Sequence, residues 1–160
     1  MVVGEVLRIF ISPGHNFFGH HGKPAGQHPV EAVDAARCVA DAGIVGDRFF
    51  EYKPAYKGQI TFFECETFNA LAAALAVSNR GPEVLRRNVI TQKVRLNDLI
   101  GREFSVDGVR LRGREECRPC YWMNQAFGPG AEMFLKGQGG LRAEILSDGE
   151  IRVGSRLTVD

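Results

Sequence analysis

Apolar residues along this chain fall mostly into short alternating runs bounded by Gly, Pro, Asp and Asn, the pattern of a β-rich protein. Val2 to Ser12 is rich in β-branched and aromatic side chains and stops at Pro13-Gly14, which predicts a strand. Gln59 to Phe63 and Val89 to Thr91 predict two more. Arg102 to Val106 and Val109 to Gly113 flank Asp107-Gly108, the best hairpin signal present, with Phe104, Val106, Val109 and Leu111 turned inward. Leu141 to Leu146 and Glu150 to Val153 flank the turn Ser147-Asp148-Gly149, and Arg156 to Val159 follows as a last strand.

Helical spacing is rarer. Phe68, Leu71, Ala72 and Leu75 repeat at i, i+3, i+4, i+7, which predicts a helix over Cys65 to Val77. Leu96 to Ile100 makes a single turn ended by Gly101, and Ala131 to Lys136 a short helix stopped by Gly137. Glu31 to Ala42 is ambiguous: Pro29, several alanines and Gly43 favour a helix, but its apolar positions form no continuous stripe. Many short strands, few helices and regular Gly/Asp turns predict a mainly β barrel or sandwich.

Pro13 to Gln27 has too much Gly and Pro for regular structure, and a loop of that length in a compact domain is usually functional. It carries His15, His20 and His21, with His28 just beyond. Their spacing matches no familiar zinc pattern, and a metal, a proton-transfer and a purely structural role all stay open. Residues 13–28 are candidates for a lid.

Composition narrows the class. A chain of 160 residues with 44% hydrophobic and 24% charged residues suits one globular domain. A net charge of +1 excludes a general nucleic-acid binder. No apolar run approaches a membrane span, and the first residues do not have the form of a signal peptide, so a cytoplasmic protein is expected. There Cys38, Cys65, Cys117 and Cys120 would be thiols. Basic residues crowd the stretch from Arg80 to Arg118, which includes Arg86, Arg87, Arg110, Arg112 and Arg114, and this points to a local anion site.

That stretch ends in Cys117-Arg118-Pro119-Cys120. Structural zinc normally needs a second pair of ligands, and a dithiol redox site needs a strand, then the motif opening a helix, inside a βαβ unit. A nucleophilic or sulfur-carrying thiolate favoured by nearby arginines is a third chemistry. Ligation of a soft metal is a fourth, and two ordinary cysteines the alternative to all of them.

Taken in order, Gly43-Ile44-Val45-Gly46-Asp47-Arg48, Arg87-Asn88-Val89-Ile90-Thr91, Leu96 to Phe104, Cys117 to Cys120, Gly139-Gly140-Leu141-Arg142 and Gly149 to Gly154 resemble the MOSC domain, named for the C-terminus of the molybdenum cofactor sulfurase. The resemblance runs from about residue 30 to the C-terminus and rests on the ordered set. It implies a single β-barrel domain with a few helices, and it implies strand over Glu31 to Ala42. It implies binding of the molybdenum cofactor (molybdopterin) or carriage of activated sulfur. Cys120 matches the family cysteine, as persulfide carrier or molybdenum ligand, while Arg48, Arg87, Asn88 and Arg142 map to polar positions near the pterin and its phosphate. Reduction of N-hydroxylated compounds is an alternative activity within the family, and non-catalytic binding of a small anion an alternative outside it. Pyridoxal phosphate would belong to a separate cysteine desulfurase partner, and a molybdoenzyme or redox partner is the other expectation. The chain departs from common family patterns at Gln92-Lys93 and Gly154-Ser155, and its His-rich loop is not a general family feature.

Overall fold

The computed structural model describes residues 1–14 and 29–160. Its centre is a closed barrel of seven strands: β11 (Arg156–Thr158), β7 (Glu103–Val106), β8 (Val109–Glu116), β9 (Leu141–Ile145), β5 (Ile60–Glu64), β6 (Val89–Gln92) and β1 (Val2–Ile11), the last closing back on β11. The strand β2 (Glu31–Val33) extends β1 on the outside. A smaller sheet joins β10 (Gly149–Arg152), β3 (Ala35–Val39) and β4 (Gly43–Ile44). Residues 31–39 are therefore extended, as the resemblance implies, with a turn over 40–42, and Cys38 explains why the helix rules fail there. It is fully buried in the barrel core beside Ala36, so alternate residues of this segment, and not a helical stripe, face inward.

Strand β5 has four consecutive buried residues because it is covered on both faces. Ile60 and Phe62 point into the barrel, while Phe63 joins a second core outside it. That outer core is roofed by α1 (Cys65–Leu75), α2 (Trp122–Ala126) and α3 (Ala131–Phe134) through Leu71, Met123, Ala131 and Leu135. The connection β5–α1–β6 is the barrel's one parallel pairing among the described residues, and a helix is the usual way to make it. On the opposite wall, β7 and β8 alternate buried and exposed residues, with Phe104, Val106, Val109 and Leu111 inside. Their turn places both Asp107 (φ +44°) and Gly108 (φ +86°) in the left-handed region, the backbone of a tight hairpin.

Ala143 and Leu141 of β9 point into the barrel, as Ile60 and Phe62 of β5 do. Their neighbours Thr61 and Arg142, paired across the two strands, must therefore point out. A cavity lined by both lies over this outer face.

Candidate functional site

The first wall of the cavity is a buried acid–base corner. Asp47 follows the turn after β4, and its carboxylate accepts the Ser12 N–H at 3.0 Å, the Phe49 N–H at 3.3 Å and Arg48 Nη1 at 3.2 Å. Asp47 thus fixes the end of β1 and orients Arg48. The Arg48 guanidinium lies 4.7 Å over the Phe49 ring and donates to the Arg86 carbonyl at 3.2 Å. Burial lowers the pKa of Arg48; Asp47 opposes this and Arg87 adds to it.

The second wall is Arg86-Arg87-Asn88. Arg86 ends a 3-10 turn (Pro82–Leu85) in the left-handed conformation (φ +59°), so successive side chains leave the chain in different directions. Arg86 Nη2 donates to Ser12 Oγ at 3.0 Å and to the Gly14 carbonyl at 2.9 Å. Burial, then repulsion from Arg48, push its pKa down to about 10, and it stays cationic at neutral pH. Arg87 is buried, and its guanidinium spans three carbonyls: Gly139 at 3.0 Å, Leu85 at 3.1 Å and Cys117 at 3.2 Å. Arg87 lines the cavity, but most of its donors hold the walls together.

Asn88 has a different job from the one its motif implies. Its Oδ1 accepts Thr61 N–H at 3.0 Å and Thr61 Oγ1–H at 3.1 Å, and its Nδ2 donates to the Phe10 carbonyl at 3.1 Å. Both ends of the amide are used in locking β5, β6 and β1, and the side chain is not part of the cavity wall. A buried amide satisfied in this way is a structural clamp.

The third wall carries the cysteines. Strand β8 ends at Glu116, and the motif Cys117 to Cys120 leads straight into α2. The strand–motif–helix order expected only of a redox dithiol is thus present, but β8 and β9 run antiparallel and no βαβ unit surrounds it. Cys117 is buried and Cys120 exposed. The Cys117 N–H donates to the Gly140 carbonyl at 2.8 Å, opposite the Arg87 bond to its own carbonyl. Gly139 and Gly140 are required by this closeness. A Cβ on Gly139 would lie 2.2 Å from the Cys117 carbonyl, and one on Gly140 (φ +107°) 2.2 Å from that of Phe62. Arg142 lines the cavity together with Cys117 and contacts Glu115 at 3.5 Å. Burial works to lower the pKa of Arg142, but Cys117, Tyr56 and Glu115 outweigh it and the net direction is upward. Burial raises the Tyr56 hydroxyl, and Arg142 opposes that.

These walls enclose a cavity of about 300 Å³. Arg48, Arg86, Arg87 and Arg142 all line it, together with Cys117 and Cys120, and no Asp or Glu does among the described residues. Phe49, Tyr56, Trp122 and Met123 supply its apolar surface. Phe49 and Tyr56 stack at 5.3 Å, and Tyr52 stacks on Tyr56 at 4.9 Å. Of the residues expected at the site, Arg48, Arg87, Arg142 and Cys120 meet in one cavity and Asn88 stands outside it. Arg86, Tyr56 and the recessed Cys117 are additions. Arg86 had a sequence signal in its place next to Arg87 in the basic run, and Cys117 in its pairing with Cys120; Tyr56 had none. His15, His20, His21 and His28 lie outside the described residues. Among the described residues no three His, Cys, Asp or Glu side chains gather as a metal site.

A closed β-barrel whose outer face carries an arginine-lined cavity with an exposed thiol at its rim defines the class. The chain belongs to the MOSC domain family, whose profile matches residues 20–158. The fold is shared with the YuaD protein from Bacillus subtilis, at 17% identity and a TM-score of 0.75 over 98% of this chain and 97% of that one. It is also similar to YiiM from Escherichia coli, at 15% identity and a TM-score of 0.65 over 96% of this chain and 70% of that one. YiiM from Geobacillus stearothermophilus aligns at 13% identity with a TM-score of 0.65, covering 100% of this chain and 75% of its own. No curated protein sequence matches the chain significantly. Among the described residues no helix is long and apolar enough to cross a membrane.

Proposed function

We propose that this protein binds the molybdenum cofactor, or its metal-free pterin, in the arginine-lined cavity, and that Cys120 acts there as a thiol that carries sulfur or ligates the metal. One observation carries the reading. Four arginines and two thiols converge on one cavity with no carboxylate lining it among the described residues. Such a cavity suits a ligand with phosphate-type charge at one end and a soft-metal or sulfur centre at the other.

The residues present fit that group. Arg86 and Arg48 lose part of their hydration on burial, and Arg48 repels Arg86, so an anion beside them would relieve that repulsion. Phe49, Tyr56 and Trp122 give the cavity apolar surface beside the arginines, suited to the body of a pterin. Gly139 and Gly140 keep the backbone close behind Cys117, and Arg87 holds both sides of that contact. Cys120, exposed at the rim, is the thiol that a donor or partner can reach. The cofactor, when bound, would supply a redox-active metal and a dithiolene; the chain supplies anchorage, orientation and a thiol. A cysteine desulfurase fits the sulfur-carrying role as partner, and a molybdoenzyme or electron donor fits the metal-ligating one.

The test is anaerobic titration with molybdopterin released from a molybdoenzyme, followed by quenching of Trp122 fluorescence and by co-elution. Saturable binding that Arg86→Ala weakens is expected. Retention of neither molybdopterin nor a simple phosphate ester would overturn the reading. Binding of phosphate esters alone, unchanged by Cys120→Ser, would identify a small-anion binding protein instead.

A further inference from the structure

The two thiols at the cavity differ in every physical respect the structure records. Cys120 is exposed. Cys117 is only 6% exposed, and its backbone is clamped on both sides, by the Gly140 carbonyl and by Arg87. Arg142 pairs across the sheet with Glu115, two residues before Cys117, and Arg142, Arg48 and Tyr56 line the same cavity as Cys117. Two residues separate the pair, so their Cα atoms are at most about 11 Å apart, and both side chains border the same cavity. Outside reagents reach Cys120 first, whereas negative charge on sulfur finds its counter-ions at Cys117.

We propose that Cys117 and Cys120 form a two-step relay for sulfane sulfur, with Cys120 as the entry thiol and Cys117 as the inner terminus beside Arg142. The inference rests on the sulfur-carrying form of the function proposed above. In the first step the Cys120 thiolate attacks the outer sulfur of a donor persulfide; the donor S–S bond breaks, a Cys120 S–S bond forms, and the donor leaves as thiolate. In the second step the Cys117 thiolate attacks the outer sulfur of the Cys120 persulfide; that S–S bond breaks, Cys117 becomes the persulfide, and Cys120 is returned as thiolate. Each step exchanges one S–S bond for another, so no external oxidant or reductant is consumed. The direction follows from electrostatics. A persulfide anion on the buried Cys117 shares its cavity with the largely buried Arg48 and Arg87 and the half-buried Arg142, where charge–charge attraction is less screened than at the exposed rim. A sulfur so placed faces whatever the arginines hold.

The experiment uses the full chain, anaerobically, with a limiting amount of a low-molecular-weight thiol persulfide. Samples are alkylated at intervals, and the extra sulfur is located by fragment-ion mass spectrometry. In wild-type protein the extra sulfur should appear first on Cys120 and then pass to Cys117. Cys117→Ser should hold it on Cys120, Cys120→Ser should load Cys117 at least ten-fold more slowly, and Arg142→Gln should shift the final distribution back toward Cys120. The wild-type time course needs no variant and stands even where a substitution unfolds the chain. Sulfur that stays on Cys120 in wild type, a Cys117–Cys120 disulfide with release of sulfide, equal loading of Cys117 without Cys120, or no loading at all each overturns the relay. Phosphate-ester binding measured on the same samples separates the two ideas: with binding intact and no transfer, the relay fails and the anion cavity stands.

Discussion

Two groups of arginines on this barrel face opposite fates. Arg110, Arg112 and Arg114 project from the outer face of β8 into solvent and pair with carboxylates, at 2.8 Å and 3.0 Å to Glu103 and 2.9 Å to Glu144. Arg48, Arg86, Arg87 and Arg142 sit at the cavity over β5 and β9, and backbone carbonyls take much of their hydrogen bonding. Every member of the first group is ion-paired at the surface, so its stake in stability is small. In the second, Arg48 and Arg87 are largely buried, Arg142 is as exposed as Arg114, and all four turn toward one cavity that no carboxylate lines among the described residues. Arginine density along the chain therefore does not locate the site. Convergence on one partly buried cavity does.

The sharpest way to break this contrast is to remove one arginine from each group. Arg87→Ala strips the donors from three carbonyls in a buried setting, and about 3–5 kcal/mol of stability should be lost. Arg87→Lys should recover little, since one ammonium cannot span three carbonyls in a plane. Arg112→Ala should change stability by no more than about 0.5 kcal/mol. Urea denaturation of the three variants checks this, and equal losses for Arg87→Ala and Arg112→Ala would erase the distinction.

Ligand affinity sharpens the same contrast. Arg86→Ala should weaken binding of a phosphate ester by about 1.5–3 kcal/mol, roughly ten- to a hundred-fold, the range for a hydrogen bond to a charged group. Arg110→Ala should leave it unchanged. Isothermal titration at two salt concentrations would show whether Arg86 contributes as a local contact. An equal drop for Arg110→Ala would mean the ligand senses only overall charge.

An effect confined to high pH is set by a thiol inside the barrel. Burial pushes Cys38 up to about 12 from an ordinary value of 9.0. Its folded pKa is raised, so its contribution is fully present below pH 9 and is lost as pH climbs toward 12. Over that window stability should fall by up to about 1.4 kcal/mol per pH unit from this group, and Cys38→Ala should flatten the slope. Cys120, exposed at the cavity rim, should be alkylated in the folded protein while Cys38 is not. Rapid modification of both at pH 8 would contradict the burial of β3.

The barrel was legible because strand alternation and turn chemistry are local. Phe104, Val106, Val109 and Leu111 fall inside as their period-two spacing requires. Residues 31–42 misled the local rules because alanine and a capping-type context satisfy a helix, whereas Cys38 and Ala36 are chosen by the barrel core they fill. The helix after Cys120 was missed because it is five residues long and its apolar side chains are recruited by α3 and α1, a tertiary effect. At the site, the family motifs point to Arg48, Arg87, Arg142 and Cys120, which meet in one cavity, and to Asn88, whose amide is engaged by Thr61 and Phe10 outside it. The motif marks a position, not whether an amide there faces a cavity or spans β5 and β1. The recessed place of Cys117 was not legible for a similar reason. Its burial depends on Gly139 and Gly140, more than 20 residues away along the chain.

The exposed group offers the smallest prediction. Hydrogen bonds from Arg110 and then Arg112 hold the Glu103 carboxyl below the usual carboxylate range. A depressed folded pKa contributes stability above the unfolded value and loses it as pH falls through the folded one, so the effect is confined to the acid limb. Because Glu103 is open to solvent, that contribution is screened and salt should remove it. Carboxyl-carbon NMR should therefore show Glu103 titrating low in dilute buffer, closer to normal in 1 M salt, and normal in the Arg110→Ala, Arg112→Ala double variant. The thermal midpoint at neutral pH should not move measurably in that variant. A clear drop in the midpoint would mean that the solvent-facing arginines also hold the barrel together, and the line drawn between the two groups by burial would have to be redrawn by ion pairing.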